Sequence, residues 1–128
     1  MSGAAMAAGN ANLTVNATVQ ATCGISSAPT INLILDPTSG LDGTGTGNIV
    51  FVCTNGTAYT LTVPAGGTMN SALSGGSIAY TLGATNTVGA GTGATQTSVA
   101  TVTVPFANYA TAPAATDYTS TVMVSILP

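Results

Sequence analysis

From Asn10 the chain reads NANLTVNATVQATC, with Leu13, Val15, Ala17, Val19, Ala21 and Cys23 at odd positions and Thr14, Asn16, Thr18, Gln20 and Thr22 between them. Strict two-residue alternation puts the apolar set on one face of an extended chain and predicts a half-buried strand. The same period returns further on. TINLILDP carries Ile31, Leu33 and Leu35 on one face before Pro37 ends it, and NIVFVC carries Ile49, Phe51 and Cys53. AYTLTVP aligns Tyr59, Leu61 and Val63, SIAYTL aligns Ile78, Tyr80 and Leu82, and SVATVTVP aligns Ala100, Val102 and Val104. The closing segment DYTSTVMVSILP is a strand with Tyr118, Val122, Val124 and Ile126 inward.

Between these runs lie turn and loop signals. GISSAPT reads as a turn, while PTSGLDGTGTG, AGGTMNSALSGG, GATNTVGAGTGATQ and ANYATAPAAT read as loops, the third low in information and mobile. TNGT between two alternating runs predicts a β-hairpin of the strands ending at Cys53 and beginning near Tyr59. No helical periodicity of useful length interrupts the pattern. Short strands separated by turns indicate a β-sandwich or barrel, and on a seven-strand immunoglobulin plan the chain runs out before the seventh.

Length sets one modest core: 128 residues make one domain. Charge changes the picture more. The chain has no Lys, Arg or His, and its acids are Asp36, Asp42 and Asp117. Without a cation it has no electrostatic means of holding nucleic acid or an anionic membrane surface. Nor does it hold the His, Lys, Arg or Glu that serve as general base or oxyanion clamp, so the reading is not an enzyme, with no cofactor and no small-molecule substrate. Its polar surface is built from Thr, Ser, Asn and Gly, without sites for trypsin-like proteases, and a net charge of −3 gives little repulsion between copies. That suits a self-associating extracellular material.

Asp36 and Asp42 in DPTSGLDGTG are read as turn formers, since two carboxylates without a third acid do not make a calcium loop. Cys23 and Cys53 make no complete metal set. In a secreted domain they are most simply one disulfide, against the alternative of two buried free thiols, and closing such a loop would stabilise by roughly 3–4 kcal/mol. No stretch approaches the ~20 apolar residues of a membrane-spanning helix. Ala5-Met6-Ala7 has the small-residue pattern of a signal cleavage site but lacks the basic and apolar regions before it, so residues 1–11 are either the tail of a clipped signal peptide or mature chain, the second being the preferred reading. Asn12, Asn16 and Asn55 each head an Asn-X-Thr sequon, expected by chance in a Thr- and Asn-rich chain. GTGTG opens no phosphate-binding strand–helix unit.

The order and spacing of TVNATVQATC, GTGNIVFVCTNGTAYTLTV, GTGATQTSVATVTVP and DYTSTVMVSI, with the two cysteines, resemble the spore coat protein U domain of archaic chaperone–usher pilins over about residues 12–126. The stretch SIAYTLGATNTVGAGTG is shorter than the family's hairpin region. The resemblance implies an all-β fold, an incomplete immunoglobulin-like β-sandwich completed by a donor strand from the neighbouring subunit. It implies a donor strand presenting Leu13, Val15, Ala17 and Val19, an acceptor groove walled by Tyr118, Val122, Val124 and Ile126, and a Cys23–Cys53 disulfide. Residues 1–22 would then be an N-terminal extension and residues 23–128 the sandwich domain. The partners implied are other copies of the chain in a homopolymeric filament, with a periplasmic chaperone and an outer-membrane usher during assembly, and the destination an extracellular pilus.

Donor and acceptor surfaces differ, so such a contact does not close on itself and propagates as a fibre. Two other readings stand beside it. One is a cell-surface adhesin or carbohydrate-binding module, which would need exposed aromatic platforms, whereas Tyr59, Tyr80 and Tyr118 are assigned inward. The other is a non-polymerising spore or cyst coat protein, marked by a first strand that completes its own sheet.

Overall fold

The computed structural model describes residues 8–128, so the Ala5-Met6-Ala7 pattern lies outside the described residues. The chain forms an all-β, immunoglobulin-like sandwich of antiparallel strands. One sheet holds β1 (Cys23–Ser27), β2 (Gly43–Cys53), β7 (Thr95–Val104), β5 (Ser77–Ala84) and β4 (Gly66–Asn70), in the spatial order β1-β2-β7-β5-β4. The second holds β6 (Val88–Ala90), β3 (Ala58–Thr62) and β8 (Ser125–Leu127), in the order β6-β3-β8. One turn of helix, α1 (Phe106–Tyr109), follows β7.

The centre of the first sheet is the β2–β7 pair, in unbroken register from Gly43↔Val104 to Val52↔Thr95. Large residues sit beside small ones on its inner face: Ile49 opposite Ser98, Gly45 opposite Val102, Gly43 opposite Val104. Adjacent side chains on one face of a sheet must share the space above it, so this pairing lets the second layer approach. Ser98 is fully buried and donates its hydroxyl to Thr85 O, which satisfies a polar group that would otherwise destabilise the core. The inward positions Ile49, Phe51, Cys53, Tyr59, Leu61, Ile78, Tyr80, Ala100, Val102 and Val104 are all buried.

Six sequence expectations are corrected. TNGT does make a turn, with Gly56 at φ 79° and Thr57 N donating to Thr54 O at 2.9 Å, but it joins no hairpin. β2 pairs with β1 and β7, while β3 pairs with β6 and β8, so the turn carries the chain from one sheet to the other. Phe51 and Tyr59 therefore meet across the sandwich, ring centroids 4.8 Å apart, instead of side by side. The GISSAPT turn is in part β1, paired with the end of β2. GTGTG is the first half of β2 and not a loop. The loops AGGTMNSALSGG and GATNTVGAGTGATQ contain β4 and β6, and the second also supplies the start of β7. Conversely, residues 28–36 are assigned to no strand despite the alternation of Ile31, Leu33 and Leu35.

Asp36 and Asp42 act in turns. Asp36 Oδ1 accepts from Thr38 N at 2.9 Å and Thr38 Oγ1 at 2.6 Å, and these bonds hold its carboxyl below the usual carboxylate range. Asp42 Oδ1 accepts from Phe106 N at 2.8 Å at the start of α1. Tyr109, the buried residue of α1, donates its hydroxyl to Leu41 O at 2.6 Å and so ties this loop to the helix. No helix among the described residues is long and apolar enough to cross a membrane.

Candidate functional site

Residues 29–35 keep a two-residue burial pattern without belonging to a sheet. Pro29, Ile31, Leu33 and Leu35 are half-buried, while Ile34 between them is 99% exposed. The inward side chains lie over the inner face of β2, where Gly43, Gly45 and Gly47 point. A Cβ on Gly45 would stand 2.6 Å from Leu33 Cδ2 and 2.8 Å from Ile31 Cγ2, and one on Gly47 would stand 2.8 Å from Pro29 Cγ. Gly43 meets Leu35 in the same way. The GTGTG alternation is thus a rail of missing side chains that lets this segment settle into the layer of the second sheet.

Across from it, residues 118–124 run toward β8. The segment is pinned at its start, where Thr119 and Asn70 exchange backbone hydrogen bonds at 3.0 and 3.1 Å, and rejoins a sheet only at Ser125–Leu127. Asp117 holds the pinned end. It accepts from Ser71 Oγ and from Leu73 N at 3.0 Å, which keeps its carboxyl below the ordinary range, the Ser71 hydroxyl being the larger cause. Tyr118 donates its hydroxyl to Pro113 O at 2.7 Å.

Between the two segments runs an open apolar trough. A cavity of about 420 Å³ lies between residues 28–33 and 118–124, over a floor of Ile49, Val63, Met69, Tyr80, Leu82 and Val102. It continues into one of about 560 Å³ bounded by residues 31–35, Pro37, Tyr109 and residues 112–116. Pro29 and Val124 mark one end and Leu35 and Tyr118 the other, so the two walls run in opposite directions. Neither residues 28–35 nor residues 120–124 form a backbone–backbone hydrogen bond among the described residues. An extended segment with unpaired N–H and C=O groups on each side of an apolar floor is a template for one more strand.

The expected groove residues Tyr118, Val122 and Val124 line this trough, while Ile126 lies within β8 and packs against the cluster around Phe51 and Leu61. The opposite wall and the floor were not assigned from sequence. Their signals were the alternation of Ile31, Leu33 and Leu35 and the glycines spaced by two. The expected donor residues are elsewhere. Residues 8–22 are exposed throughout and belong to no strand, with Leu13 at 89%, Val15 at 82% and Val19 at 82% exposure. At the root of this segment Cys23 and Cys53 form a disulfide, their Cα atoms 4.1 Å apart. It stands at the end of β2 opposite to Gly43 and Leu35.

Residues 9–125 match the family model described as the Spore Coat Protein U domain. The chain belongs to the Spore Coat Protein U domain family. No curated protein and no solved structure matches the chain. Spore Coat Protein U domains occur in chaperone–usher fimbrial and coat proteins, a structural family associated with pilus assembly, which makes this chain a structural subunit of surface or coat type.

Proposed function

We propose that the chain polymerises by donor-strand complementation, its N-terminal extension through residue 22 filling the trough of the next copy's sandwich, residues 23–128. The observation that carries this reading is the pairing of two unsatisfied surfaces on one molecule: an apolar trough with two unpaired edges, and an alternating apolar segment that its own domain leaves exposed. Leu13, Val15, Ala17 and Val19 match in number and period the inward residues Pro29, Ile31, Leu33 and Leu35. Burying Leu13, Val15 and Val19 stabilises a joint by about 1.5–3 kcal/mol each, before main-chain hydrogen bonds to both walls.

The poles of the subunit favour one direction. A strand lying with Leu13 toward Pro29 and Val19 toward Leu35 brings the donor's Cys23 to the Tyr109 and Tyr118 pole of the acceptor. The acceptor's own extension leaves from the opposite pole, at its Cys23–Cys53 disulfide, so copies add in line without collision. The assembled product is an extracellular pilus, with passage through the periplasm on a chaperone and export through an outer-membrane usher. A sugar-binding reading gains little, since Tyr59, Tyr80 and Tyr109 are buried. A self-completing coat protein is disfavoured by the exposure of residues 8–22.

The test is electron microscopy of the full chain beside a chain lacking residues 1–19. The full chain forms filaments. The shortened one stays monomeric and takes up a synthetic NLTVNATV peptide. A full chain that remains monomeric, with a shortened chain that folds and ignores the peptide, would remove the proposal.

A further inference from the structure

Thr54 is bonded to the root of the extension repeatedly, through three contacts of 3.1 Å or less and two longer ones from its hydroxyl to Thr22 O at 3.3 Å and Thr22 Oγ1 at 3.5 Å. Its backbone N donates to Thr22 O at 2.9 Å, its hydroxyl accepts from Thr22 N at 3.1 Å, and the same hydroxyl donates to Gln20 O at 2.7 Å. Two of these three bonds need the side chain. They matter because only Gln20, Ala21 and Thr22 separate Val19 from Cys23.

The residue that makes these bonds is itself held on a rigid corner. The neighbouring Cys53 is tied to Cys23, Thr57 N donates to Thr54 O at 2.9 Å, and Gly93 N donates to Cys53 O at 3.0 Å. Gly91 is buried against this corner, where a Cβ would lie 2.6 Å from Cys53 Cβ and also meet Thr54 O. Thr54 is half-buried there, so the hydroxyl that holds the extension stands on backbone fixed by one covalent bond and two hydrogen bonds.

We propose that Thr54 is a positioning residue that fixes the angle at which the extension leaves the domain, so that its hydroxyl sets the stiffness of the joint between successive subunits. The inference rests on the polymer reading above. With the hydroxyl in place, a three-residue linker is held at Gln20 and Thr22 and has little freedom. Without it, Thr22 keeps only the bond from Thr54 N to its carbonyl, Gln20 is released, and the joint bends just beyond Thr22.

The full chain is compared with Thr54→Val, Thr54→Ala and Thr54→Ser, all oxidised. The Thr22 amide, which is protected through the Thr54 hydroxyl alone, exchanges about tenfold faster in the Val and Ala variants, and Ser restores it. Filament persistence length, read from electron micrographs, falls by about twofold or more in Val and Ala and returns with Ser. If the Val variant fails to fold, the Ala variant carries the comparison. Filaments of wild-type stiffness from the Val or Ala variants, or a Ser variant as flexible as Val, overturn the inference and leave the polymer reading standing. A wild-type chain that makes no filaments overturns both.

Discussion

Val15→Asp and Asn16→Asp add the same charge one residue apart and should behave oppositely. Val15 is 82% exposed in the free subunit, so nothing in the monomer depends on it. In a filled trough it lies on the inward parity, and the substitution loses about 1.5–3 kcal/mol of apolar burial. The carboxylate must also leave water beside residues such as Leu33 and Val122, in a chain without a single cation to pair with. It avoids ionised burial by protonating, which at pH 7 against a free value near 3.9 costs about 4 kcal/mol. The sum of roughly 6 kcal/mol is about four orders of magnitude in joint affinity. Asn16 faces outward from the same strand, and its change is worth within about 0.5 kcal/mol. Electron micrographs should show filaments for Asn16→Asp and none for Val15→Asp, with both monomers melting alike. Below about pH 4 the Val15→Asp chain should regain part of its assembly, because a proton removes the charge term and leaves only the lost burial. Equal behaviour of the two variants at pH 7 would refute the parity argument and the donor strand with it.

Gly45→Val should lower the melting temperature and weaken peptide uptake, since its Cβ would sit 2.6 Å from Leu33 and 2.8 Å from Ile31 and overpacking costs about 1–3 kcal/mol. Gly83→Val is the control, having nothing within 4 Å of its Cβ, and should be neutral or mildly stabilising; calorimetry that ranks the two the other way would refute the glycine rail. Asp117 has its carboxyl held below its ordinary value by Ser71 and Leu73, so its contribution is complete above the unfolded value and disappears as pH falls through the lower folded one. Melting of the wild type should therefore drop in acid below about pH 4, and Asp117→Asn should flatten that drop, leaving the part due to Asp36, whose carboxyl is lowered in the same sense.

Burial parity is legible within the sandwich because a period of two survives wherever one face is buried, whereas the alternation from Leu13 to Ala21 has no buried face in the single chain. It located Ile49, Phe51, Tyr59, Leu61, Ile78, Tyr80, Val102 and Val104 inward, as they are. What parity does not report is which neighbour supplies the hydrogen bonds. TNGT joins two strands that both face the core, and a hairpin and a crossing between layers give the same alternation. The strand pairings, β2 with β1 and β7 and β3 with β6 and β8, distinguish them, and the Phe51–Tyr59 contact across the sandwich agrees. β4 was missed because Met69 is its single large apolar residue, and the rail was read as a loop because glycine signals flexibility in isolation. Here Gly43, Gly45 and Gly47 alternate with Thr44, Thr46 and Asn48, and a glycine recurring at the inward parity of a strand marks a second backbone approaching closely. The same limit applied at the trough. Residues 31–35 and 118–126 alternate as strands do, yet most of their backbone groups find no partner among the described residues.

That incompleteness has a consequence for how such a subunit can exist before it is assembled. The free molecule exposes Leu13, Val15 and Val19 on one side and leaves the half-buried Leu33, Met69, Leu82 and Val122 lining an open trough on another, each ready for any strand. Net charge of −3 and the absence of cations leave little repulsion to keep copies apart and no charge pattern to reject wrong partners. Discrimination would then come from shape alone, from how an incoming strand's side chains fit the trough, and shape discriminates only after contact. A subunit built this way is safe when its trough is never empty, either occupied in transit by a strand of another protein or filled by the next copy. On the donor-strand reading proposed above, the features that make the free chain hazardous would also hold a joint, because a seated strand would leave only by breaking hydrogen bonds on both edges while drawing its apolar face into water. The stability of such a fibre would then be a matter of rate more than of equilibrium.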